Sequence, residues 1–127
     1  MVIAANRITG NGFDASYPAA GLFIGYGEAI AITDNHIEEN GILSEAYDYE
    51  AVEGLRGGVI IRMASARVTG GRDDQPARPA VDLRDNHIDQ PVGRAITICA
   101  YGPVSCIGNH LNSEREGRMG LADRAIG

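Results

Sequence analysis

The side chains best suited to chemistry in this chain are three histidines that share one local position, each directly after an asparagine: Asn35-His36, Asn86-His87 and Asn109-His110. Imidazoles bind borderline transition metals when neutral and anions when protonated. If the segments carrying them stack like adjacent strands, His87 and His110 approach within roughly 5 Å. Arg7 and Arg67 occupy the same offset, so the expected outward column runs Arg7, His36, Arg67, His87, His110. Arg67 beside His87 would repel a cation and no third ligand is evident. The plainer expectation is therefore a solvent-facing turn position where bulky polar groups stack, with His87 and His110 as weak metal candidates.

Carboxylates form the second set. Asp73-Asp74 follows Arg72 within the loop Gly70 to Pro79, and Asp34 and Asp85 each stand just before an asparagine. Asp34 and Asp85 are expected two coils apart, at roughly 10 Å. Arg62 and Asp82 are expected on adjacent coils as an exposed ion pair of modest value. Paired carboxylates do the acid and base work of glycoside hydrolysis, which makes Asp73, Asp74, Asp82 and Asp85 weak catalytic candidates. For Asp73-Asp74 a solvated turn is the favoured reading. Phe13, Tyr17, Tyr47 and Tyr49 lie in two long stretches, the second of which also carries Glu38, Glu39, Glu45, Asp48, Glu50 and Glu53. Aromatics beside carboxylates suit a sugar or a protein partner, and suit equally well the anchoring of their own loops.

What must position these groups is a repeat. Asn6-Arg7-Ile8, Asn35-His36-Ile37, Asn86-His87-Ile88 and Asn109-His110-Leu111 recur, with a degenerate copy at Ala66-Arg67-Val68. Taken as equivalent, positions 6, 35, 66, 86 and 109 are 29, 31, 20 and 23 residues apart, in the range of stacked-repeat architectures. Five, three and minus two residues before that position stand Met1, Ile3, Ile8; Ile30, Ile32, Ile37; Ile61, Met63, Val68; Val81, Leu83, Ile88; and Val104, Cys106, Leu111. All are apolar. Alternation before the asparagine is the period-2 pattern of a half-buried strand, and the break in period after it is a corner. Leu22 and Ile24 stand before Asn35 as Ile96 and Ile98 stand before Asn109, marking an earlier strand in those coils. The expected fold is all-β: about five stacked coils over residues 1–112, then a tail or incomplete coil over 113–127. Surplus length enters after the corner, at 9–20, 38–56 and 69–79, which places the insertions on one face.

The run Ile30-Ala31-Ile32-Thr33-Asp34-Asn35-His36-Ile37 resembles the coils of right-handed parallel β-helix proteins, the pectate-lyase-like superfold. The resemblance covers about residues 1 to 112. It implies a right-handed parallel β-helix with an asparagine ladder at Asn6, Asn35, Asn86 and Asn109, in which stacked amides bond along the column. Ala66 is expected to interrupt that ladder and to make a different corner in the third coil. The resemblance implies little about activity, because this scaffold carries lyases, hydrolases, adhesins and inert stalks. It fails at the enzymes' motifs: Asn-Thr-Asp, Gly-His-Gly and Arg-x-Lys runs are all missing, and the chain has no lysine.

Composition narrows the partners. With net charge −6 over 127 residues and pI about 4.9, binding to nucleic acid through a basic surface is not expected. No apolar stretch is long enough for membrane insertion. Cys99 should face away from inward Cys106, which argues against a bridge. No cofactor is expected. Met1 already holds an inward position and no polar cap is visible, so the chain is expected to be a section of a longer helix or to have ends covered by a partner. Three functions follow as expectations: a noncatalytic structural or recognition module, binding polysaccharide or another protein chain; a polysaccharide lyase or glycoside hydrolase with a groove on a strand face; or an element that self-stacks into a homo-oligomer through open coil ends. The compartment is unknown.

Overall fold

The computed structural model describes residues 1–12, 19–41, 56–66, 78–90 and 93–113, and those residues are all-β. Phe13, Tyr17, Tyr47, Tyr49, Asp73 and Asp74, as well as Arg67, Val68 and the tail 114–127, lie outside them. Twelve strands are distributed over three sheets. The first sheet contains β1 (Val2–Ala4), β5 (Ile30–Thr33), β8 (Val81–Arg84) and β11 (Val104–Ile107), in that order. The second contains β2 (Arg7–Thr9), β6 (His36–Glu38), β9 (His87–Asp89) and β12 (His110–Asn112). The third contains β3 (Ala20–Ile24), β7 (Gly57–Ser65) and β10 (Arg94–Tyr101), with the short β4 (Gly27–Glu28) also on β7.

Every pairing is parallel. Parallel neighbours cannot be joined by a tight hairpin, because the chain must return to the starting edge. Here the return path is the other two sheets: the chain visits first, second and third sheet in turn, three times, and then first and second once more.

Register converts the sequence alternation into files of side chains. Ile3, Ile32, Leu83 and Cys106 stand opposite one another across the first sheet. Ile8, Ile37, Ile88 and Leu111 do the same across the second. In the third, Leu22 aligns with Val59 and Ile96, and Ile24 with Ile61 and Ile98. These files meet in a single apolar cluster in which Ile30, Ile32, Ile37, Leu83, Ile88 and Ile96 are fully buried. Each such side chain contributes about 1.5–3 kcal/mol of transfer free energy. In the outer strands, Ile3, Ile8, Val104 and Leu111 are only partly buried.

Three expectations are corrected by this register. Residues 61–68 do not form a coil of their own: Ile61 belongs to the third sheet and Met63 is absent from the file of Ile32, which pairs directly with Leu83. The described residues therefore make three circuits and two strands of a fourth, in place of about five coils. An apolar alternation looks the same in any half-buried strand, so the pattern around Ile61 could not reveal which sheet it joins. Arg62 and Asp82 are consequently not neighbours: Asp82 stands between Ala31 and Ser105 and receives Arg84 Nε at 2.9 and 3.1 Å. Asp34 and Asp85 follow the paired residues Thr33 and Arg84 and so lie one strand apart, where two had been expected.

Candidate functional site

Asn6, Asn35, Asn86 and Asn109 sit where the first sheet turns into the second. The backbone N–H and the Nδ2 of Asn6 both donate to Asn35 Oδ1 at 3.0 Å, and Asn35 repeats this onto Asn86. Asn86 donates in the same way to Asn109 Oδ1, at 3.0 and 2.9 Å. Each lower amide also reaches back to a strand carbonyl, as Asn86 Nδ2 does to Ile32 O at 2.8 Å. The ladder is thus continuous, contrary to the expected interruption at Ala66, because the segment bearing Ala66 lies in another part of the circuit.

The residue before each ladder asparagine has a left-handed backbone: Ala5 (φ 55°), Asp34 (56°), Asp85 (54°) and Gly108 (69°). That conformation swings the chain from one sheet into the next, and Gly and Asp are among the residues that adopt it with least penalty. This gives Asp34 and Asp85 a corner-forming role that the carboxylate reading overlooked, although Asp-Asn and Gly-Asn pairs are turn signals in their own right.

A second amide ladder, also overlooked, runs where the second sheet ends. Asn11 donates through N and Nδ2 to Asn40 Oδ1 at 3.1 and 3.0 Å, and Asn40 N donates to Gln90 Oε1 at 3.4 Å. Gly10 (φ 69°) and Glu39 (φ 54°) precede Asn11 and Asn40 in left-handed conformation. Gln90 instead follows Asp89 directly at the end of its strand with no left-handed residue, and its extra methylene spans the shorter corner. The substitution of Gln for Asn hid the repeat from a search for one residue type.

On the outer face of the second sheet the two ladders bracket a flat array of polar groups. Its first file is Arg7, His36, His87 and His110, and its second is Thr9, Glu38, Asp89 and Asn112. The imidazoles stack: His36 on His87 and His87 on His110 each have ring centres 4.6 Å apart, with planes 20° and 8° from parallel. His87 is therefore flanked by histidine on both sides, and the expected Arg67 neighbour is replaced by His36. His36 Nε2 lies 3.0 Å from Glu38 Oε2, and Arg7 lies 3.3 Å from the other oxygen of that carboxylate. The hydrogen bond from His36, aided by its charge and that of Arg7, holds the Glu38 carboxyl below its usual range.

The other named groups are dispersed. Asp82 is bound to Arg84, and Asp85 is an exposed corner residue, so neither faces a second carboxylate across a groove suited to a sugar. Among the described residues no three His, Cys, Asp or Glu side chains converge to hold a metal ion. Cys99 and Cys106 are free and exposed. Partial burial and the nearby Asp82 carboxylate push the Cys106 thiol up. No helix among the described residues is long and apolar enough to cross a membrane. No protein-family model, curated protein or solved structure matches the chain.

Proposed function

We propose that this chain is a stretch of right-handed parallel β-helix that serves as a noncatalytic structural or recognition module. The observation that carries the reading is the cyclic visit to three parallel sheets with in-register files of buried aliphatics, clamped at two corners by amide ladders. Such a scaffold is rigid, and the carboxylates within the described residues are committed to corners and surface ion pairs. A rigid stack that repeats its outer side chains at strand spacing suits an extended partner, a polysaccharide or another protein chain.

Reducing-end assays on acidic and neutral polysaccharides test this against the lyase or hydrolase alternative. No turnover is expected. Turnover abolished by Asp73→Asn, Asp74→Asn or Asp82→Asn would replace the module with an enzyme. A solution-scattering envelope shorter than the stack of strand files requires would remove the β-helix itself.

A further inference from the structure

We infer that the outer face of the second sheet holds a site for a divalent first-row transition metal, represented here by Zn²⁺, built from His87, His110 and Asp89, with the Asn112 carbonyl as a neighbouring donor.

These four groups occupy the corners of a small rectangle. His87 pairs with His110 and Asp89 with Asn112 across adjacent parallel strands. Within each strand the two residues are two positions apart, so both side chains leave the same face. The amide already meets the carboxylate, with Asn112 Nδ2 3.2 Å from Asp89 Oδ1. Two imidazole nitrogens and a carboxylate oxygen are the donor set of borderline divalent cations.

Reach is sufficient. A zinc–nitrogen bond is about 2.0–2.1 Å, so two nitrogens must come within about 4.2 Å of each other. The rings now stack with centres 4.6 Å apart, which leaves their lone pairs side by side. Rotation of one ring about its Cβ–Cγ bond brings the two nitrogens onto a common point. His110 is exposed and His87 half-buried, so that rotation needs no change in the core.

The neighbours favour this rectangle over the one before it. His36 Nε2 is engaged by Glu38, and Glu38 also faces Arg7 at 3.3 Å, which places a carboxylate against the one guanidinium in the file. His87 is separated from Arg7 by the whole of β6. The cation would thus meet one carboxylate on its own strands and a second, Glu38, on the adjacent one.

Calorimetric titration of ZnCl₂ into the intact chain near neutral pH tests the site. The expected result is saturable binding of a single ion. His87→Asn and His110→Asn should each weaken it by about tenfold or more, no less than the loss of an outer-shell partner costs a metal site. Asp82→Asn should leave it unchanged. Proton resonances of the His87 and His110 rings should shift on adding Zn²⁺, more than those of His36. Acidification should release the ion, since the ligating imidazoles must be neutral. No saturable binding at millimolar Zn²⁺, or wild-type affinity in both histidine variants, would overturn the assignment. Should His87→Asn fail to fold by circular dichroism, the exposed His110→Asn and the ring resonances of the unaltered chain decide the matter alone.

Discussion

Asn35 offers both its backbone N–H and its side-chain Nδ2 to one acceptor, the Oδ1 of Asn86, at 3.0 Å each, although 51 residues separate the two in sequence. Both residues are buried. Water therefore cannot replace the acceptor, and each orphaned buried group costs about 1–3 kcal/mol. Asn86→Ala should destabilise the fold by about 2–4 kcal/mol, read as a lowered midpoint in urea. Asn6→Ala, at an exposed rung, should cost about 1 kcal/mol or less. Equal costs at the two positions would mean that the ladder is not the stabilising element.

Two glycines with similar backbone conformation should respond differently to alanine. Gly10 (φ 69°) has nothing within 4 Å of the position a Cβ would take, whereas a Cβ on Gly93 (φ 82°) would collide with the Arg56 carbonyl oxygen. The left-handed conformation alone costs an alanine about 1–2 kcal/mol. Gly10→Ala should lose about that much in thermal or urea denaturation. Gly93→Ala should lose more, because a backbone carbonyl must move as well.

The core files give a graded series. Ile32 and Ile88 are fully buried, while Ile8 in the same file as Ile88 is only partly so. Ile88→Ala should cost about 2–5 kcal/mol, in the range of buried large-to-small changes. Ile8→Ala should cost distinctly less in the same measurement.

Glu38 supplies the pH dependence. Its carboxyl is held below its usual value first by the hydrogen bond from His36 and then by charge from His36 and Arg7. A carboxylate whose folded value is depressed contributes stability above its unfolded value, and that contribution is lost as pH falls through the folded value. Carbon-detected NMR should show Glu38 titrating below an unfolded-chain glutamate. His36→Asn should raise its midpoint more than Arg7→Gln does, and the reverse order would overturn the attribution.

Cys106 should be slow to alkylate at neutral pH. Partial burial and the Asp82 carboxylate both disfavour the thiolate, which is the reacting form. Asp82→Asn should speed its reaction with iodoacetamide, followed by mass spectrometry of the modified peptide.

The fold class and much of the inner surface were legible in the chain. Alternation around Ile32, Leu83 and Cys106, with the asparagine that follows each, is a local pattern, and local patterns survive in a one-dimensional string because strand parity and turn preference act over a few residues. The histidine offset was legible for the same reason. What only the assembled chain could decide was adjacency. Met63 obeys the same alternation as Ile32 yet lies outside its file, since parity says which face a side chain takes and nothing about which strand lies beside it. Removing that spurious coil moved His36 next to His87, moved Asp34 next to Asp85, and separated Arg62 from Asp82. The second amide ladder was hidden likewise: Gln90 replaces asparagine where the corner is one residue shorter, an exchange of side-chain length for backbone length that becomes visible once both are placed in space.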